Sequence, residues 1–417
     1  MINRDRAFRI AVRKFEPFEL SFAKQWDSFE RLHQTSLQLE AIPLDLHSLH
    51  ESLFVNRGLH LDYWDAALVS TDWLAEAAES GALTDLAPLL DAAPPEGYPQ
   101  GWSDSLLRLQ RFDGRVLGLP YHDGPECLIY RRDLFEKPAE RDGFAQQYGE
   151  PLDVPRTWEQ FRRAAQYFTR PEKSLYGTAF AAFPDGHNTV YDFCLQLWTR
   201  GGELFEDSGR VRLDTPRARE ALDFYRALLK DTGAVHPESR VFDSVKSGFA
   251  FAAGEVAMMV NWFGFASMSE TIAESKVKGC VAVAPVPSGG GPRASLNAYW
   301  VLGIAAGSKH REIAWKFLRH CSGPEMDKLL TLEGGIGCRK STWSDLEVNA
   351  RIPFYQCLEE LHEEARELPR RSNWSELAAV IDGMVQKALD SEEPTSTILQ
   401  RAQRLVDEVC MEGARKT

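Results

Sequence analysis

Apolar positions follow two alternating rhythms in the first third of this chain. Arg9 to Phe15 (R-I-A-V-R-K-F) alternates as a strand does, and Phe22, Trp26, Phe29 and Leu32 then recur at helical spacing over Leu20 to Gln34. Leu37 to Ile42 alternates again, and Ala66 to Ser70 is a continuous apolar run of buried-strand length. The next segment runs from Asp72 to Gly81, with Asp72 placed to cap a helix and Gly81 placed to end it. Strand and helix in alternation predict an α/β sheet with crossover helices.

The rhythm breaks at Leu119 to Pro125, a polar stretch bracketed by prolines, and a new strand is expected over Cys127 to Arg131. Thr157-Trp158-Glu159-Gln160 has the form of a capping box, and Asp214-Thr215-Pro216 opens a second helix with Gly233 as its expected stop. Val281 to Pro287 reads as a return strand, Ser288 to Pro292 as a flexible loop, and His310 to Cys321 as a further helix. The expected division is a first lobe of residues 1–122 and 284–330 and a second of 123–283 and 331–417. Crossings are expected near 121–126, 281–287 and 330–338.

Composition narrows the function classes. A chain of 417 residues suits two globular lobes better than one core. The net charge of −13 argues against a nucleic-acid partner, because neutralising phosphates needs a basic face. No apolar run approaches the roughly 18 residues of a membrane span. Met1 to Ile10 lacks the apolar core of a secretory leader. The cysteine count is odd and no C-x-x-C occurs, so neither a disulfide framework nor a zinc ribbon is expected, and the thiols read as small buried hydrophobes. No metal site or cofactor is expected. His47 and His50, three apart, read as part of a solvated helix face.

Several segments in fixed order carry a family resemblance. They are Tyr63-Trp64-Asp65-Ala66-Ala67-Leu68-Val69-Ser70, then Asp113-Gly114-Arg115-Val116-Leu117-Gly118-Leu119-Pro120-Tyr121, then Ile129-Tyr130-Arg131-Arg132-Asp133-Leu134-Phe135. Pro155-Arg156-Thr157-Trp158-Glu159, Tyr176-Gly177-Thr178-Ala179-Phe180, Phe251-Ala252-Ala253-Gly254-Glu255-Val256-Ala257-Met258-Met259 and Ala314-Trp315-Lys316-Phe317-Leu318 follow. Each is weak alone, but their order resembles the extracellular solute-binding proteins of sugar ABC importers, the maltose-binding-like class. The resemblance spans nearly the whole chain.

It implies a two-lobed periplasmic-binding-protein fold of the type II kind, each lobe a mixed sheet with flanking helices and a ligand cleft between them. It implies a monomeric, non-catalytic receptor that captures a sugar or small oligosaccharide by hinge closure and delivers it to ABC permease subunits. It implies a periplasmic or extracellular location. The absence of a leader in this sequence pulls the other way and leaves a cytoplasmic binder open.

The resemblance also suggests where ligand contacts lie. Phe15 and Glu16 follow the first strand, and Asp72 and Trp73 occupy a strand-to-helix turn, with capping and inward packing as their plain structural alternatives. Tyr121, His122 and Asp123 lie in the expected crossover. Asn261 and Trp262 follow the Ala-Met-Met strand, where the family presents a stacking aromatic. Asn297, Tyr299 and Trp300 precede the return strand, one aromatic expected in the core and the other exposed. Asp185 and Tyr191 flank a helix start, and Trp374 resembles another stacking residue. Trp26, Trp158, Trp198 and Trp315 fall on helix faces and are assigned to the core. Indoles offer flat faces to sugar C–H surfaces, and carboxylates and amides take up hydroxyls.

Two rivals remain. A glycosidase also combines tryptophans with paired carboxylates, although no pair stands out among 61 acidic residues and no G-x-S-x-G or Walker A motif is present. A sensor subunit would share the whole fold and differ only in its partner.

Overall fold

The computed structural model describes residues 6–416, with side chains placed through Met411. Residues 1–5, the start of the stretch read above for a leader, lie outside the described residues. The strands are β1 (Ala7–Arg13), β2 (Gln38–Leu44), β3 (Ala66–Ser70), β4 (Arg111–Phe112), β5 (Arg115–Val116), β6 (Leu119–His122), β7 (Glu126–Arg131), β8 (Tyr176–Thr178), β9 (Val256–Trp262), β10 (Val281–Ala284), β11 (Ser295–Asn297), β12 (Trp300–Ile304) and β13 (Ala365–Glu367). The chain divides into two compact units. One holds the chain up to Gly124, Ala298–Glu359 and Leu368–Ser372; the other holds Pro125–Asn297, Glu360–Glu367 and the chain from Asn373.

The first unit is built on a five-stranded sheet of order β2-β1-β3-β12-β6. β1 runs parallel to β2 and β3, and β12 runs antiparallel to β3 and β6. Pro43 is tolerated because β2 is an edge strand. The helix Glu16–His33 buries Phe18, Phe22, Trp26 and Phe29 against this sheet. Phe8 of β1 stacks on Trp26 at 5.0 Å, Phe22 stacks on Tyr121 of β6 at 4.6 Å, and Phe317 meets Phe8, Trp26 and Phe29 edge-on. The helix stop at Gly81 is as expected, since the residue sits at φ 65°, in the left-handed region that favours glycine. The start is not. Thr71–Trp73 forms one 3₁₀ turn before the helix Leu74–Ser80, which has no side-chain cap, so Asp72 is not a helix cap.

The second unit carries a four-stranded mixed sheet of order β10-β7-β9-β8 and a two-stranded pair, β11 with β13. β7 is antiparallel to β9 and β10, and β8 is parallel to β9. The capping box forms as the sequence predicts: Thr157 Oγ1 accepts from Gln160 N while Gln160 Oε1 accepts from Thr157 N. Thr215 caps the helix Pro216–Leu229, which ends at Lys230 rather than Gly233. The helix Asn188–Trp198 is buried along its entire length, with Trp374–Asp390 and Pro216–Leu229 packed against it. Trp26, Trp158, Trp198 and Trp315 are all buried. So are the thiols of Cys127, Cys194, Cys321 and Cys338, whereas Cys280, Cys357 and Cys410 are only half-buried and depart from the expectation of buried thiols.

Two expected crossings fall elsewhere. β10 pairs with β7 inside the second unit, and the strand that returns to the first sheet is β12. Residues 331–359 stay with the first unit for a chemical reason. Asp327, buried on the helix Pro324–Leu332, accepts from Cys338 N at 2.8 Å, Arg339 N at 3.2 Å and Thr342 Oγ1 at 2.5 Å. A Cβ on Gly337 would stand 2.3 Å from Asp327 Oδ2, so glycine is required for this close approach. Ile336 is thereby held against the end of β6: its N–H donates to His122 Nδ1 at 2.9 Å and its carbonyl accepts from Asp123 N at 3.0 Å. Removing the Asp327 carboxylate orphans three buried donors at once, each costing about 1–3 kcal/mol. Asp327→Ala is therefore expected to lower unfolding stability by about 3 kcal/mol with little change in m-value, as read from urea denaturation.

Candidate functional site

In the first unit the sheet directions gather several of the expected residues at one edge. β1, β3 and β6 end where β12 begins, because Trp300 pairs with both Ser70 and His122. Phe15, Glu16, Asp72, Trp73, His122, Asp123 and Trp300 all stand at this strand-end edge. Strand ends and adjoining loops are where open α/β sheets bind ligands.

Within that edge the roles diverge. Trp73 is 2% exposed, packed by His50 at 5.1 Å and edge-on to Trp300 at 5.8 Å. Trp300 keeps part of its indole exposed. Tyr299 is the core member of the pair, its hydroxyl donating to the Leu106 carbonyl. Tyr121 is likewise interior: it stacks on Phe22 and donates to Gln25 Oε1 at 2.9 Å. Phe15 meets Phe18 edge-on, Glu16 is exposed, and Asp72 and Asp123 are buried. Burial pushes the His122 imidazole down to about 4, which suits Nδ1 as an acceptor from Ile336. His50 Nε2 lies 2.9 Å from Glu76 Oε2 and is half-buried, not a fully solvated face residue.

In the second unit the carboxyl end of β9 gathers another set. Trp262 lies directly across the ladder from Glu126, the first residue of β7. Cross-strand partners leave the sheet on the same face. Tyr191 meets Trp262 edge-on, with ring centroids 5.6 Å apart, and buttresses an indole that is half-exposed. Asn261 is occupied structurally: Nδ2 donates to Ser247 Oγ at 2.9 Å and Oδ1 accepts from Trp262 N at 2.8 Å. Asp185 caps its own turn, accepting from His187 N at 3.0 Å, and burial raises its carboxyl. Asn297 closes β11 and is buried, and Trp374 is buried at the start of its helix.

Sequence reasoning missed two residues here. Glu126 is 3% exposed, with Oε2 buried and unpartnered. Asp192, beside Tyr191, is buried and accepts from Tyr225 Oη at 2.5 Å. Burial raises both carboxyls, Asp192 to about 7, and the facing Asp192 charge pushes Glu126 up further. The signal was a carboxylate inside an otherwise unbroken buried helix and another directly after Pro125 at a strand start.

The family described as bacterial extracellular solute-binding protein matches residues 63–328, more than half of the chain. This chain belongs to that family. Among its relatives, the mannitol-binding protein of Pseudomonas aeruginosa is 25% identical over 272 residues, covering 63% of this chain and 59% of that protein. The arabinooligosaccharide-binding protein of Bacillus subtilis is 21% identical over 355 residues, covering 81% and 74%. Maltose-bound MalE3 of T. maritima superposes with a TM-score of 0.84 at 23% identity, over 97% of this chain and 99% of that one. A solute-binding protein of Agrobacterium radiobacter K84 in complex with ribitol gives 0.84 at 22%, over 97% and 98%. At these identities the structural likeness is one of fold, that of the two-lobed solute-binding proteins.

For this solute-binding protein the buried carboxyls set a pH dependence. A carboxyl whose folded value lies above its unfolded one contributes stability that is complete below the unfolded value and is lost as pH rises through the folded value. Asp192 therefore erodes stability as pH climbs through about 7. Neutral His122 acts oppositely, but only as pH falls from 6.5 toward 4. Between pH 6.5 and 8 the unfolding temperature of the wild type is expected to fall, and Asp192→Asn is expected to flatten that slope in a calorimetric pH series.

Proposed function

We propose that this protein captures a neutral sugar or sugar alcohol and delivers it to the permease of an ABC importer. The observation that carries this reading is the paired placement of partly exposed indoles at strand ends: Trp300 backed by Trp73 in the first unit, Trp262 backed by Tyr191 in the second. A ring braced edge-on by another aromatic offers a rigid face for stacking at little entropic loss. The relatives named for mannitol and for arabinooligosaccharide support the same ligand class. In the first unit Phe15, Glu16, Asp72, His122 and Asp123 then serve as polar and packing groups, with Tyr121 and Tyr299 supporting from within; in the second Asp185 and Asn297 do so, with Asn261 and Trp374 supporting.

On this reading the protein is a receptor that leaves its ligand chemically intact, as the family description as solute-binding protein supports. It works outside the cytoplasmic membrane, as the extracellular family name supports. Among the described residues no helix is long and apolar enough to cross a membrane, so contact with permease subunits supplies the link to transport.

Thermal unfolding across D-mannitol, ribitol, maltose and arabinooligosaccharides is the direct test. A ligand at about 100 times its dissociation constant adds about 2.7 kcal/mol, a shift of several degrees. A selective shift with ligand recovered intact is the expected result, and Trp262→Ala is expected to abolish most of it while unfolding normally without ligand. Cleavage of the ligand would establish an enzyme instead. Silence toward every neutral carbohydrate would overturn the ligand class.

A further inference from the structure

Glu126 Oε2 and Asn297 Oδ1 of the second unit are buried acceptor atoms without partners, in residues that are each 3% exposed. Orphaned buried acceptors cost stability and in native proteins call for an explanation. The two residues are neighbours through β11, because Ser295 Oγ donates to the Glu126 carbonyl. Ser295 and Asn297 project to the same side of β11, two residues apart. Glu126 in turn shares a sheet face with Trp262, its partner across the ladder, and Trp262 is braced by Tyr191. An aromatic face and two hydrogen-bonding oxygens without protein partners thus converge at one end of one unit.

We propose that Glu126 and Asn297 are the hydroxyl-reading groups of the second unit, selecting a neutral polyhydroxylated ligand over an anionic one. This rests on the reading of the protein as a sugar or sugar-alcohol receptor and names the residues that choose within it. A ligand hydroxyl donates to either oxygen and satisfies it, and a hydrogen bond to a charged or partly charged carboxyl is among the stronger kinds. The charges around the pair explain the rejection of anions. Asp192 on the helix Asn188–Trp198 faces Glu126, Asp382 on Trp374–Asp390 accepts from Thr189 Oγ1 at 2.6 Å, and Tyr225 donates to Asp192. Arg366 of β13, the strand paired with β11, is committed to Glu203 and to the Trp198 ring, and His187 stands beside Asp185. A phosphate or carboxylate brought here meets acidic groups and no uncommitted guanidinium from these elements. Burial and the facing Asp192 raise the Glu126 carboxyl, which favours the form that donates as well as accepts, as a polyol requires.

The test is calorimetric titration of D-mannitol, ribitol and maltose into wild type, Glu126→Met, Glu126→Gln and Asn297→Leu, with unfolding midpoints taken in parallel. Glu126→Met removes both oxygens at similar length and is expected to weaken the best of the three probes at least 100-fold. Glu126→Gln, which keeps one acceptor, is expected to lose about tenfold. Both are expected to unfold at or above the wild-type midpoint, since a buried carboxyl is removed. Affinity within threefold of wild type in Glu126→Met overturns the proposal while leaving the receptor reading intact. Where that variant folds poorly, wild-type affinity in Asn297→Leu overturns it instead. D-mannitol 1-phosphate binding as tightly as D-mannitol overturns the selection against anions. Failure of the wild type to bind any neutral probe overturns the receptor reading and this proposal with it.

Discussion

Strand β12 is the piece on which the first unit depends, because β3 and β6 are joined only through it. Its antiparallel pairing with both neighbours sets the level at which every loop of that edge emerges. Trp300 opens the strand, and the register alone puts it beside Ser70 and His122. A slip of one residue would send its side chain to the other face and separate it from Trp73. The strand arrives more than 170 residues after β6, once the whole second sheet has been threaded. The unit is therefore assembled from distant parts of the chain, and closing so long a loop is an entropic cost that β12 offsets through two ladders of hydrogen bonds and the apolar burial of Val301, Leu302 and Ile304.

The loop around Gly337 performs the corresponding task for the end of β6. A charge inside the unit is tolerable because Asp327 is surrounded by donors, two of them backbone N–H groups of the segment that grips His122 and Asp123. Burial still pushes Asp327 up to about 6, so the hydrogen bonds do not fully offset desolvation. Order at the candidate site is thus maintained from behind, by groups that have no reason to touch ligand. The second unit shows the opposite economy. There Glu126 Oε2 is buried without a partner, in the residue directly across the ladder from Trp262.

Much of this was legible in the residues. Period and capping chemistry identified the helix from Thr157, the stop at Gly81 and the buried strand Ala66–Ser70, because each is governed by local physics. The family resemblance carried the candidate residues, and seven of them do share the strand-end edge of the first unit. What was illegible depended on long-range pairing. Val281–Ala284 has the composition of a return strand, and nothing local says that its partner is β7. Asp72 looks like a helix cap until a 3₁₀ turn intervenes. Tyr121 and Tyr299 looked like site residues and are core, because a tyrosine buries well when its hydroxyl finds a carbonyl or amide oxygen. Glu126 passed unnoticed because its meaning comes from burial and from Asp192 across the unit.

The interior placement of the thiols has a chemical consequence of its own. Burial pushes Cys194 up to about 12 and Cys321 and Cys338 well above 9, so all three persist as thiols. Only the thiolate attacks a disulfide or is readily oxidised. At these three positions the sulfur is inert packing, its redox quiet secured by the same desolvation that holds the core together.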